Sequence, residues 1–178
     1  NTTFHQTHFF QGAVYFGNLA NLGKIYSVTG SGASTNSNVF DFPDDYTNTC
    51  LEDDGNYLIA GITKSRGPTL NADSRVVYWD TISSAYTREW PIRDNIVSIR
   101  KYKSGNIAVC SRGIYYFDFQ TKPAKLRTLG TGNGGRYGFP ESSDVFNESI
   151  IWGGGDTYLM SYGKIIPEAP TAFFNPFK

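Results

Sequence analysis

Charge, sulfur and helical periodicity are all scarce in this chain of 178 residues. Two cysteines, Cys50 and Cys110, are too few for a disulfide framework, and each reads as a small buried thiol. Asp, Glu, Lys and Arg together make up only 18% of the chain, with a formal net charge of zero. That balance disfavours nucleic acid as a partner, because nucleic-acid-binding surfaces usually leave the whole domain basic. No apolar run approaches the roughly 20 residues that cross a bilayer, so no membrane span is expected. The chain opens at Asn1 with no basic region and no signal-like apolar stretch. Either processing removed a leader or this is an ordered piece of something larger. No stretch places apolar residues at helical spacing for long enough to make an amphipathic helix.

What is present suits strands. Aromatic residues reach 16% and glycines number 19, a mixture that favours pleated, half-buried strands joined by glycine turns. The fold class is therefore all-β. Glycine turns recur: Gly12 precedes "AVYFG", Gly55 precedes "NYLIAG", Gly105 precedes "NIAVCS", and a turn at Asn147 and Glu148 precedes "SIIWGGG". The intervals are 43, 50 and 43 residues. A tyrosine-rich strand follows each: "KIYSV", "RVVYWD", "GIYYFD" and "TYLMSYG". In the two middle units a further short strand comes next, "YTREWPI" and "AKLRTL". A fixed period of this length signals a repeat architecture. Aromatic strand pairs within each unit point to the blades of a β-propeller, or a propeller segment, of about four blades. A lone blade cannot bury both of its faces, and stacking successive blades solves that problem.

The period divides the chain into 1–38, a first blade with a Gly/Ser/Asn-rich loop; 39–92, a second blade; 93–138, a third; and 139–166, a partial fourth. The second blade carries an inserted loop, 63–74, and insertions of this kind map to a surface. The Pro- and Phe-rich tail 167–178 is expected to dock on a neighbouring surface. The stretch "NYLIAG…RVVYWDTISSAYTREWPI" resembles a kelch repeat, and "SIIWGGG" resembles the kelch double-glycine strand end. Ala60-Gly61 and Cys110-Ser111 stand where kelch has two glycines. The strand ends "VVYWD" and "IYYFD" also resemble the close of a WD repeat, without its Gly-His pair. The kelch resemblance implies a protein-recognition propeller.

Motifs for chemistry are weak. "GTGNGG" (130–135) satisfies a dinucleotide fingerprint, but "RYGFPESSD" follows where a helix is required, so it reads as an inter-blade loop. His5 and His8 sit in what reads as extended chain, with no carboxylate or cysteine close in sequence. No metal site, cofactor or catalytic residue is expected. Residues 41–54 hold six carboxylates and no base, at spacings that fail as a calcium loop. Asp54-Gly55 reads as a hairpin turn with solvated neighbours. Residues 93–136 carry nine Lys or Arg against Asp94 and Asp118, a net of plus seven.

These features lead to a non-enzymatic structural or interaction module of a larger assembly. Its partners are proteins or copies of itself; acidic 41–54 and basic 93–136 read either as solvated rims or as complementary faces for head-to-tail contact between subunits. Arg66 in the inserted loop, and Arg112 and Arg136 on the basic blade, are the contact candidates. The Asn/Thr/Gly-rich loops suggest an extracellular or virion protein, and short-tailed phages use propellers in tail and nozzle proteins. A carbohydrate-binding or carbohydrate-active propeller is the alternative, with Trp79, Trp90 and Trp152 stacking on sugar rings. The plainer reading of the same tryptophans is inter-blade packing.

Overall fold

The computed structural model describes residues 4–18, 21–30, 37–43, 45–64, 73–129, 143–146, 149–153, 157–161 and 164–167. Within them the chain is all-β, with sixteen strands in four antiparallel sheets and no helix. Sheet one holds β1 (Phe4–Phe10), β2 (Ala13–Asn18), β3 (Asn21–Thr29) and β4 (Ser37–Asp41). Sheet two holds β5 (Tyr46–Asp53), β6 (Leu58–Lys64), β7 (Ser74–Trp79) and β8 (Arg88–Ile92). Sheet three holds β9 (Ile96–Tyr102), β10 (Gly105–Cys110), β11 (Gly113–Phe117) and β12 (Ala124–Thr128). Sheet four holds β13 (Ser143–Phe146), β14 (Ser149–Gly153), β15 (Thr157–Ser161) and β16 (Lys164–Pro167). Every sheet is a meander in which consecutive strands pair, the form of a propeller blade.

Two boundaries differ from those the period implies. The first sheet runs to Asp41 rather than 38, because β3 pairs with Ser37–Asp41. The fourth sheet carries four strands and is not partial. The larger difference is one strand per unit. The glycine turns do not open the blades; in the first three sheets each turn joins a first strand to a second.

Stacking follows from period-2 alternation on strands buried on both faces. In sheet two, Leu58, Ala60, Ile62, Val77 and Trp79 cluster with Phe10, Tyr15, Ile25 and Phe40 of sheet one. The intervening Ile59, Val76 and Tyr78 cluster with Ile96, Ile99, Ala108 and Phe117 of sheet three. Sheet three repeats the division: Ile107, Val109 and Ile114 turn to Ile150 and Trp152 of sheet four. Each fully buried Ile or Leu contributes about 1.5–3 kcal/mol, so these two-sided strands dominate the stability.

The first strand of sheet two looks polar, "YTNTCLED", yet is buried along almost its whole length. Its hydroxyls are satisfied locally: Thr47 Oγ1 donates to the Thr63 carbonyl and Thr49 Oγ1 to the Gly61 carbonyl, both at 3.1 Å. Gly61 is required by close packing, since a Cβ there would lie 2.6 Å from Cys50 Sγ and 2.8 Å from Ile96 Cγ2. Cys50 and Cys110 are both free, buried thiols in the interface between sheets two and three. Burial pushes both thiols up, Cys50 to about 11.

Asp80 and Asp118, the residues that close "VVYWD" and "IYYFD", cap the turns after the third strands. Asp80 Oδ1 accepts from the amides of Ile82 and Ser83. Asp118 Oδ1 accepts from those of Gln120 and Thr121. The repeated aspartate is thus a turn device in both blades.

Candidate functional site

The first strands of successive sheets are stitched together by polar side chains. His8 on β1 places Nε2 2.7 Å from Asp53 Oδ2 on β5. Lys101 on β9 donates from Nζ to Asp53 Oδ1 at 2.8 Å. Arg100 donates from Nε to the Ser143 carbonyl on β13 at 2.9 Å, and the hydroxyls of Ser98 and Ser143 are hydrogen-bonded. The chain of contacts therefore runs through all four sheets. Asp53 is its hub, because the Gly55 amide also donates to Oδ1, at 2.7 Å.

Glu52 completes the cluster, with Oε1 3.7 Å from His8 Nε2 and 3.2 Å from the Asp53 amide that donates to it. The side chains of His8, Glu52 and Asp53 are all largely withdrawn from solvent. The two neighbouring carboxyls are driven in opposite directions. Burial pushes Glu52 up, against the partial relief of the Asp53 amide, His8, Arg100 and Lys101. Burial also acts on Asp53, but hydrogen bonds from Lys101, His8 and the Gly55 amide outweigh it and hold the carboxyl below its ordinary value. The arrangement fits two roles, a charge clamp between sheets and a ligand set for a cation.

The expectation that the neighbours of Asp54-Gly55 are solvated is overturned. The turn itself forms, with Asp54 Oδ1 accepting from the amides of Asn56 and Tyr57, but Asp53 is buried at the sheet interface. The histidines have no carboxylate close in sequence, and for His8 the next sheet supplies two. His5 lies on the same strand. One signal for the cluster was available: His8 and Lys101 each stand four residues before the turn glycines Gly12 and Gly105, and Asp53 stands two before Gly55.

The other candidates are dispersed. Trp79 is buried between sheets one and two, in ring contact with Tyr15 and Phe40, with Nε1 donating to the Ser83 carbonyl. Trp152 is fully buried between sheets three and four. Neither presents a face to a sugar, because both rings fill inter-sheet space. Trp90 is half-buried against the interface of sheets two and three, beneath the Arg88 guanidinium, and Nε1 donates to the Asp118 carbonyl. Arg112 is exposed in the β10–β11 turn, at the opposite end of its sheet from Lys101, and its amide donates to Asp94 Oδ2. Arg66, Arg136, "GTGNGG" and residues 168–178 lie outside the described residues. The acidic and basic segments meet inside one chain, at Asp53 and Lys101. A separate open cleft of about 360 Å³ is lined by Lys24, Asp41, Phe42, Asp45 and Tyr46, among others.

Four meander sheets stacked in chain order define the class: an all-β, propeller-like fold. No protein-family model matches the chain, and no curated protein is similar to it in sequence. Among solved structures it is similar to a protein of unknown function from Bacteroides caccae, with a TM-score of 0.59 and 11% identity over 93% of this chain and 60% of that one. It is also similar to the dihydro-heme d1 dehydrogenase NirN, a β-propeller, with a TM-score of 0.53 and 14% identity over 96% of this chain and 38% of that one. The chain thus spans less than two thirds of either neighbour. At these identities the likeness concerns fold alone.

Proposed function

We propose that this chain is a non-enzymatic propeller segment that works as a structural module by stacking on a second copy of itself. The observation that carries the reading is the outer face of sheet one. Phe9 and Val14 are paired across β1 and β2 on the face opposite His8, Phe10 and Tyr15, and they are 67% and 37% exposed. Interior sheets of this fold bury both faces against like sheets, and the outer face of sheet one continues the same stack. A second copy offers a sheet of matching form. The charged contact between acidic and basic segments is already made within the chain at Asp53–Lys101, so the apolar face is the better candidate for association. An extracellular or virion setting belongs to the same proposal, supported by composition alone.

Light scattering of the purified chain at low and high salt tests it. Self-association that survives high salt and is lost in Phe9→Ser supports stacking through the apolar face. A compact monomer at both salt concentrations overturns the reading. A second reading, a glycan-binding module, is favoured by the open cleft with Asp41 and Asp45 on its wall. A glycan panel separates it from the first: saturable binding lost in Asp41→Asn would favour the cleft.

A further inference from the structure

We propose that His8, Glu52 and Asp53 form a binding site for a borderline divalent ion of the zinc class. The inference goes beyond the assembly reading and does not rest on it. His8 Nε2, one Glu52 oxygen and one Asp53 oxygen all lie within 4.8 Å of one another. Ligand atoms at about 2.0–2.2 Å from a tetrahedral ion stand roughly 3.3 Å apart. His8 Nε2 lies 2.7 Å from Asp53 Oδ2 and 3.7 Å from Glu52 Oε1, so the two separations bracket that value. Small side-chain adjustments bring the three atoms around one ion.

The ligands come from two sheets and are held by backbone. His8 sits on β1, while Glu52 and Asp53 end β5, and all three are mostly buried where these strands meet. Asp53 is oriented from behind: Lys101 Nζ and the Gly55 amide occupy Oδ1, which leaves Oδ2 facing the imidazole. Outer partners of this kind fix the ligand oxygen and its direction. Glu52 and Asp53 bring two carboxyl groups to the ion, with the Lys101 ammonium and the Arg100 guanidinium beside them.

One imidazole nitrogen with two carboxylate oxygens selects the class. Calcium and magnesium prefer shells made of oxygen, whereas zinc and its first-row neighbours accept imidazole with carboxylate. Binding needs the lone pair of Nε2, so the neutral ring carries its hydrogen on Nδ1. The ion takes the place of the hydrogen between His8 and Asp53, and any second imidazole proton is released to solvent. Three protein ligands leave one tetrahedral position for water or a group from a partner.

The test is titration of the full chain with Zn2+ by calorimetry, and with Co2+ followed by visible absorption. The expected result is one ion per chain with a tetrahedral cobalt spectrum, weakened at least tenfold by His8→Ala and by Glu52→Gln. Glu52→Gln is nearly isosteric and keeps the test decisive if His8→Ala fails to fold. Lys101→Met is expected to bind more weakly, by about tenfold, since it removes the partner that holds Asp53 Oδ1 and turns Oδ2 to the ion. Either of two results overturns the proposal: no saturable binding to the wild type, or equal weakening by His5→Ala and His8→Ala, which would indicate non-specific histidine coordination.

Discussion

Replacing Gly61 by alanine tests how tightly the sheets are stacked. The added Cβ would lie 2.6 Å from Cys50 Sγ, 2.8 Å from Ile96 Cγ2 and 3.1 Å from Thr49 Oγ1. Cys50 and Ile96 are fully buried, and Ile96 belongs to the neighbouring sheet, so neither can swing into solvent. Overpacking of a well-filled core costs about 1–3 kcal/mol, and this position belongs in the upper half of that range because two atoms are encroached upon at once. Gly12→Ala is the control. Nothing lies within 4 Å of a Cβ there, and only the positive φ of 84° penalises alanine, at about 1–2 kcal/mol. Removing the nearest obstacle should rescue the core variant: in the pair Gly61→Ala with Cys50→Ala, the new methyl group occupies space vacated by the sulfur. Urea unfolding of the wild type, both single variants and the double variant gives the coupling energy. A Gly61→Ala loss below about 0.5 kcal/mol, or strict additivity with Cys50→Ala, would refute the packing argument.

The Tyr78 hydroxyl is buried, and among the described residues it has no hydrogen-bond partner. Desolvation and the nearby carboxylates Asp54 and Asp118 disfavour its ionised form. Tyr78→Phe is therefore expected to be neutral or stabilising by up to about 1 kcal/mol in urea unfolding, and a clear loss would reveal a partner. The paired carboxyls should give opposite pH signatures in the same assay. Asp53 is held below its ordinary value of 3.8, so its stabilising share is present at neutral pH and is lost only as pH falls through that depressed value. Glu52 lies above its ordinary 4.5, so its charged form opposes folding at neutral pH and the penalty lifts as pH falls through the raised value. The stability gap between wild type and Asp53→Asn should therefore persist to lower pH than the gap between Glu52→Gln and wild type. The reverse order would refute the assignment.

The all-β class and the repeat were legible because their causes are local. Glycine turns at Gly12, Gly55 and Gly105 form where they were read, and the tyrosine-rich third strands "RVVYWD" and "GIYYFD" appear as β7 and β11. The first strands escaped the pattern for a physical reason. β5 buries Thr47, Asn48 and Thr49, and its threonine hydroxyls are satisfied by carbonyls of β6, so polarity in the sequence does not mark a solvent face there. Trp79 and Trp152 carry no sequence mark that separates packing from recognition; only the neighbouring sheet decides that their rings are covered.

By itself the sequence determined that this chain forms short antiparallel strands in four similar units, because turn chemistry and period-2 alternation act within a few residues. The tertiary structure decided which units touch and which polar groups meet. His8, Asp53 and Lys101 are separated by 45 and 48 residues along the chain, yet stand within hydrogen-bonding distance. They converge because each sits near the end of a first strand, and burying both faces of every sheet brings those strands side by side.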